Sequence, residues 1–144
     1  SSPCPAAGSL SEDAERPVDV AAARSFFDHH TELENDFDPA FLDNYADNAV
    51  IKVSQVDAGG KPVIVERKIA DYRAEQLKAL PAAKQKLDTH QYSDIRIEPA
   101  KDGRAIVSGK RTSTLSKSST PFYVVVRTSG SGWKIVEAGP QAAP

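Results

Sequence analysis

The spacing of the apolar residues changes part-way along the chain, and this change limits the folds that are open to it. The first third carries core-type residues three and four positions apart, the spacing of one helical face, at Val20, Ala23, Phe26, Phe27, His30, Leu33 and Phe37. The last third alternates apolar and polar residues between short turns that contain glycine, which is typical of antiparallel strands. Helices grouped ahead of a run of strands predict an α+β fold rather than alternating βαβ units.

The full pattern predicts three helices and six strands in the order ααββαββββ. Asp19 and Asp38 are the expected helix caps, with Pro39 at the first position of the second helix. The helices are predicted at 20–37, 39–44 and 69–80, and the strands at 50–55, 62–66, 87–99, 104–115, 122–128 and 133–138. Pro81 is expected to end the third helix, and residues 57–60 supply the glycines of a hairpin turn.

Composition excludes several classes of function. With one cysteine in 144 residues, the chain forms no internal disulfide and has no Cys pair for a zinc site. A net charge of −2 lacks the basic character of a nucleic-acid-binding protein, and no apolar run approaches the length of a membrane span. No glycine motif for a dinucleotide or nucleotide phosphate occurs. We therefore expect no metal, no cofactor, no nucleic-acid partner and no integral membrane contact.

The two ends of the chain are predicted to be flexible tails, covering residues 1–17 and 139–144, with one domain at 18–138. The first tail is rich in Pro, Ala, Gly and Ser. It fits a periplasmic or secreted protein whose signal peptide has been removed, and it fits a trimmed cytoplasmic protein equally well. Cys4 is read as a free thiol, because Ser1, Ser2 and Pro3 do not form the small-residue motif that precedes a lipidated cysteine.

Two segments carry a resemblance to a known family. One is Phe41-Leu42-Asp43-Asn44-Tyr45-Ala46-Asp47-Asn48-Ala49-Val50, which follows a long first helix, and the other is the closing Gly132-Trp133-Lys134-Ile135-Val136-Glu137. Together with the element order, they resemble the NTF2-like superfamily, including its SnoaL-like and ketosteroid-isomerase-like members, over residues 18–138. The resemblance implies a cone in which a curved antiparallel sheet wraps around three N-proximal helices, often with a small apolar ligand at its mouth.

The catalytic residues of the ketosteroid isomerases are not retained in this sequence. Their general-base aspartate corresponds by register to Val53, and their protonated aspartate corresponds to Val124. The tyrosine of their first helix is missing, because that helix carries Phe26 and Phe27 instead. Acid–base chemistry needs a titratable group beside the substrate, so isomerase chemistry of that type is not expected.

The resemblance therefore implies a binding pocket more strongly than it implies a reaction. Non-catalytic binding of a small apolar or amphipathic molecule is the leading hypothesis. The predicted lining residues are Phe26, Phe27, His30, Val53, Tyr72, Phe122, Val124 and Val126. The same apolar residues equally fit a filled core, which would make the protein a structural or protein-interaction module.

An enzyme is the other alternative, a cofactor-free lyase, cyclase or isomerase. His90 is its candidate acid–base group, with Tyr92 on the same face of the strand. Arg73 is a candidate for holding a ligand carboxylate, and Glu137 on the last strand is a further candidate. Each also fits an ordinary role at the surface, with His90 exposed at a strand start and Arg73 extending from a helix edge.

Three further features are interpreted from the pattern. His30 and Glu34 lie one helical turn apart and could share a cation, although a solvated acidic helix face with His30 at the edge of the core is the preferred interpretation. Tyr123 and Val125 are predicted to point out of the cone and to form the interface of a homodimer. Residues 110–117, which include Arg111, are read as a polar hairpin loop.

Overall fold

A computed structural model describes residues 18–140 of the chain. The predictions for residues 1–17, including that for Cys4, and those for residues 141–144 lie outside the described part. Within it, the elements follow the predicted order, with three helices and six strands.

The first two helices begin where their capping residues predict. Helix α1 spans Val20–Asn35, and the Asp19 carboxylate accepts a hydrogen bond from the backbone N–H of Ala22 at 3.0 Å. The second helix, η1, spans Pro39–Asn44 and is a 3₁₀ helix capped by Asp38. Its six residues are too few for a stable α-helix, and the tighter 3₁₀ form is common in such short connectors.

Helix α2 spans Ile69–Lys86, so the prediction that Pro81 ends it is wrong. Proline removes one backbone donor and leaves the carbonyl of Leu77 without its helical partner. Leu77 and Pro81 both lie on the exposed side of the helix, so the free carbonyl is not enclosed in the core, where an unpaired polar group costs most. The helix continues to Lys86 and is capped by Leu87, which adopts a left-handed conformation with φ 54° and donates its N–H to the Lys84 carbonyl.

The six strands form one curved, open sheet. They are β1 Tyr45–Val56, β2 Pro62–Lys68, β3 His90–Ala100, β4 Arg104–Ser113, β5 Ser119–Ser129 and β6 Gly132–Pro140. Their order across the sheet is β2-β1-β6-β5-β4-β3. The predicted antiparallel sheet is therefore correct except where β1 lies beside β6, because these two strands run parallel. No hairpin joins these two strands, so local turn chemistry does not set their relative direction.

Several strand limits differ from the prediction. β1 starts at Tyr45 because the Tyr-Ala-Asp-Asn segment already runs beside β6, with an irregularity between Tyr45 and Val50. β6 continues to Pro140, so Gly139 and Pro140 do not belong to the tail but pair with Tyr123 and Phe122. The irregular pairing between Tyr45 and Val50 breaks the alternation of apolar and polar residues by which a strand is recognised in the sequence.

A bulge in β3 bends the outer part of the sheet. Ser93 pairs with Lys110 and Arg96 pairs with Ser108, so two residues of β3, Asp94 and Ile95, oppose Gly109 alone. A Cβ atom built on Gly109 would lie 2.7 Å from the Ser93 carbonyl oxygen. The missing side chain of Gly109 is what lets the bulge close against β4.

The core lies between the helices and the concave face of the sheet. Its buried side chains are Ala23, Phe27, Phe41, Leu42, Tyr45, Ala49, Ile51, Ile69, Ala105, Val107, Phe122, Val126 and Ile135. They come from both long helices, η1 and strands β1, β4, β5 and β6. The packing joins α1 to the β3–β5 side of the sheet and α2 to β1. The two long helices therefore cover different parts of the concave face.

Replacing Gly109 with alanine tests the role of the bulge. We expect Gly109→Ala to lose about 1–3 kcal/mol of unfolding free energy, because the added methyl group meets backbone atoms that cannot move independently. Gly132→Ala is the matched control, since its Cβ would meet nothing closer than 4.0 Å. Urea unfolding followed by circular dichroism measures both. Equal stabilities of the two variants would contradict this account of the bulge.

Candidate functional site

A cavity of about 370 Å³ opens on the concave face of the sheet. One part of its wall is apolar and is formed by Phe27, Ile51, Val53, Phe122, Val124 and Ala138. Another part carries polar groups from two helices and three strands, namely His30, Glu34, Tyr45, Tyr72, Tyr92 and Arg111. Its volume falls in the range of roughly 300–1,000 Å³ that small-molecule pockets occupy.

Tyr92 connects two charged side chains in the polar part of the wall. Its hydroxyl donates a hydrogen bond to Glu34 Oε1 at 2.6 Å, and Arg111 Nε donates to the same hydroxyl oxygen at 3.0 Å. Tyr92 and Arg111 are cross-strand partners on β3 and β4, and Glu34 lies in the last turn of α1. The hydroxyl acts as donor and acceptor at once, so Glu34, Tyr92 and Arg111 form one hydrogen-bonded chain, called here the polar chain.

His30 is the buried polar residue of the described core, with only 4% of its surface exposed. Its ring packs edge-on against Phe41 and Tyr45, with centroids 5.9 and 5.6 Å away. The Asn44 amide nitrogen lies 3.0 Å from His30 Nδ1, which assigns the proton of the neutral ring to Nε2. Nε2 lies 4.0 Å from Glu34 Oε2, so that proton faces the carboxylate.

Burial lowers the pKa of His30 below its usual value, and Arg111 and His29 lower it further, while Glu34 partly opposes the shift. Neutral imidazole is thus the form the fold favours.

The three tyrosines in the polar part of the cavity wall, Tyr45, Tyr72 and Tyr92, are held in their protonated form. Burial raises the pKa of both Tyr45 and Tyr72 above the ordinary phenol value, and the Glu34 carboxylate adds to both shifts, while the hydrogen bond with Tyr45 partly opposes the shift of Tyr72. Burial and the Glu34 carboxylate together raise the pKa of Tyr92 strongly as well. Near neutral pH these phenols are therefore hydrogen-bonding groups and not bases.

Arg111 keeps its positive charge in this setting. Burial alone would lower the pKa of its guanidinium, but Tyr92 and Glu34 outweigh that effect and raise it.

Six of the predicted lining residues lie at the cavity, and two do not. The six are Phe27, His30, Val53, Tyr72, Phe122 and Val124. Phe26 does not line it; its half-buried ring packs against the core, because α1 turns the neighbouring Phe27 toward the cavity instead. Val126 is fully buried beside its strand partner Ile135 and belongs to the filled part of the core.

Of the four candidate catalytic residues, Tyr92 is the one that lines the cavity. His90 lies instead in a separate groove between α1 and β3, where its backbone N–H and C=O bond the Asn35 side chain at 2.9 and 2.8 Å. The first residue of β3 is thus used to attach the end of α1 to the sheet. The His90 ring contacts the polar chain only through Arg111 Nη2, which lies 3.4 Å from His90 Nδ1.

Arg73 and Glu137 also lie away from the cavity. Arg73 Nη2 donates to the Tyr45 carbonyl at 2.7 Å and Nη1 pairs with Asp47, so this side chain joins α2 to the start of β1. Glu137 lies on the convex face, where its carboxylate accepts a hydrogen bond from Tyr123 and lies 3.4 Å from Lys52 Nζ.

Two residues of the site have roles that sequence reasoning missed. Arg111 was assigned to a polar loop, yet it continues the inward-facing positions of Val107 and Gly109 on β4. That period-two extension is the signal that would have placed it in the cavity. Glu34 was paired with His30 as a cation site, whereas its bonded partner is Tyr92. Within residues 18–140, no group of three or more His, Cys, Asp or Glu is arranged to hold a metal ion.

The fold is similar to that of several solved structures. An NTF2-like protein of unknown function from Pseudomonas putida KT2440 matches with a TM-score of 0.66 and 13% identity, over 86% of each chain. Another from Shewanella oneidensis MR-1 matches at 0.65 and 16% identity, over 85% of this chain and 98% of that one. A protein with a cystatin-like fold from Caulobacter vibrioides matches at 0.63 and 9% identity, over 86% and 89%.

The chain has the NTF2-like fold. This confirms the fold that the Tyr-Ala-Asp-Asn and Gly-Trp segments imply. No protein-family model matches the sequence, and no curated protein matches it. At these identities the likeness concerns the fold, so the function has to be argued from the cavity. Among residues 18–140, no helix is both long and apolar enough to span a membrane.

The burial of His30 predicts a pH-dependent stability. Its folded pKa is below the value of 6.5 that it takes when exposed, so the unfolded chain binds more protons below about pH 6.5 and stability falls as the pH drops through that range. Burial and Arg111 lower the pKa of His90 as well, which adds to the same trend. Unfolding free energies from urea titrations between pH 7.5 and 5 measure the slope.

Two variants separate this effect from general acid sensitivity. His30→Gln is expected to flatten the slope, leaving the part that His90 contributes. His29→Gln is the control, because its side chain is exposed one position away and has the smallest effect of the groups that lower the pKa of His30. It is expected to keep most of the slope. NMR titration of the imidazole signals gives the folded pKa values directly in the unmodified protein. A folded His30 that titrates at or above 6.5 would disprove the prediction.

Proposed function

We propose that the protein binds a small, mostly apolar molecule in the cavity of its NTF2-like fold and does not transform it. The single observation that carries this proposal is the division of the cavity wall into an apolar part and a polar part. Mostly apolar walls with a few oriented polar groups are typical of preformed ligand sites. The apolar part excludes water and provides the binding free energy, while the polar part orients the ligand.

The chemistry of the polar groups supports binding over catalysis. The phenols stay protonated, and Glu34 already accepts the Tyr92 hydrogen bond. His30 has its Nδ1 occupied by Asn44 and its ring enclosed between Phe41 and Tyr45. The enzyme alternative was built on His90, and that residue lies outside the cavity. A base positioned to take a proton from a bound molecule is therefore missing from the predicted set.

Filling the cavity tests the proposal. The probe is N-phenyl-1-naphthylamine, an uncharged aromatic amine that fluoresces when it enters an apolar site. We expect its fluorescence to rise with the unmodified protein and to lose most of this rise in Val53→Trp, because the indole would occupy the cavity. Val56→Trp is the control: it lies on the same strand, is 71% exposed and does not line the cavity. Equal binding by both variants would place the probe elsewhere and contradict the proposal.

We also propose that the convex face of the sheet joins two copies of the chain. The observation that favours this is an apolar cross-strand pair on that face, Val125 of β5 with Ile106 of β4, of which Ile106 is 38% exposed. Tyr123 lies beside them with its hydroxyl bonded to Glu137, which leaves the ring as apolar surface. A two-fold interface would bury this pair against its own copy.

The oligomeric state tests this second proposal. Sedimentation velocity is expected to show a dimer for the unmodified protein and a monomer for Val125→Lys, because the substitution introduces a charge into the buried centre of the interface. Ala79→Lys is the control, at an exposed position of α2 and therefore away from the convex face of the sheet, and it is expected to remain dimeric. A monomeric unmodified protein would rule out the interface.

A further inference from the structure

The guanidinium of Arg111 has donors that the protein itself does not use. Nε donates to the Tyr92 hydroxyl, and Nη2 lies at 3.4 Å from His90 Nδ1. Among residues 18–140 no acceptor takes a hydrogen bond from Nη1, and no carboxylate oxygen lies within 4.0 Å of the group. A guanidinium carries five N–H donors. Arg111 therefore presents a positive charge with free donors in the wall of the cavity.

The carboxylate of Glu34 has its nearest partners within the protein. Its Oε1 accepts the Tyr92 hydroxyl, and its Oε2 faces the Nε2 proton of His30 at 4.0 Å. The Tyr92 hydroxyl lies between Glu34 and Arg111, so the two charges do not form a direct ion pair. The polar wall consequently offers donors to a bound molecule while its one carboxylate faces tyrosine and histidine.

This unequal use of donors and acceptors selects the charge of the ligand. An acceptor group with one negative charge would satisfy the free N–H groups of Arg111, and a carboxylate matches the flat two-pronged shape of a guanidinium. A group with two negative charges is disfavoured, because Glu34 lies on the other side of Tyr92 and its charge would repel the second one. A cation is disfavoured by Arg111 itself.

We propose that the cavity binds a monocarboxylate, a molecule with an apolar body and a single carboxylate that pairs with Arg111. This inference rests on the proposed binding function and names the chemical class of its ligand. The body lies against the apolar wall of Phe27, Val53, Phe122 and Val124, and the carboxylate reaches the free edge of the guanidinium. The Tyr92 hydroxyl acts as the positioning group, since it holds the guanidinium through Nε and leaves the outer nitrogens available.

A pair of ligands of equal shape tests the charge. 2-Naphthylacetate and 2-naphthylacetamide share the same aromatic body and differ in charge, and isothermal titration calorimetry measures the binding of both to the unmodified 144-residue chain. We expect the carboxylate to bind roughly tenfold more tightly than the amide, since hydrogen bonds to charged groups exceed neutral ones by about the free energy of one factor of ten. Raising the salt concentration is expected to weaken the carboxylate more than the amide.

Two variants locate the preference. Arg111→Gln is expected to remove the difference between the two ligands by lowering the affinity for the carboxylate and leaving that for the amide nearly unchanged. Lys110→Gln is the matched control, because it removes the same charge from the adjacent residue, whose exposed side chain pairs with Asp94 instead. It is expected to keep the full preference. Circular dichroism checks that both variants are folded.

The outcomes separate the inference from the function on which it rests. If both ligands bind with equal affinity to the unmodified protein, the proposal that the ligand is a monocarboxylate is wrong, whereas the proposal that the cavity binds a small molecule is retained. If the unmodified protein and Arg111→Gln prefer the carboxylate to the same degree, another group recognises its charge, and the proposed role of Arg111 is wrong. If neither naphthalene ligand nor N-phenyl-1-naphthylamine binds, the proposed function fails and the inference fails with it.

Discussion

Three aromatic rings hold the first helix against the sheet, and the cavity depends on their packing. Phe27 of α1 lies edge-on to Tyr92 of β3 at 5.3 Å and parallel to Phe122 of β5 at 5.7 Å, and Tyr92 and Phe122 meet edge-on at 5.2 Å. These rings join elements that are far apart in the chain. They fix the distance between α1 and the sheet, and that distance decides whether Glu34 at the end of the helix reaches the Tyr92 hydroxyl. The apolar wall and the polar chain therefore share one anchor.

A second set of contacts supports the other side of the cavity. Arg73 of α2 donates to the carbonyl of Tyr45 and pairs with Asp47, and Tyr45 in turn packs against Tyr72 with ring centroids 5.5 Å apart. The side chain expected to hold a ligand thus holds the start of β1. Each residue in the polar part of the cavity wall is therefore positioned by a neighbouring residue of the fold.

Much of the fold follows from local patterns in the sequence. Asp19, Asp38 and the glycine turn after β1 mark element boundaries through side-chain hydrogen bonds that span two to four residues. The limits that differ from prediction have non-local causes. Pro81 is tolerated because that side of α2 is exposed, and β6 extends to Pro140 because β5 provides its partner. The bulge at Asp94 and Ile95 is visible only once β3 lies against Gly109.

The sequence by itself determined the class of fold, the order of the elements and most of the apolar lining of the cavity. These depend on periodicity, capping and turn residues, which act over a few positions. Only the tertiary structure decided which polar residues meet in the cavity. Glu34, Tyr92 and Arg111 come from three elements, and the first two lie 58 positions apart in the chain. Their contact depends on the packing of Phe27 and on the bend of the sheet, so the spacing of residues along the sequence does not predict it. The same packing places His90 outside the cavity, because Asn35 bonds its backbone.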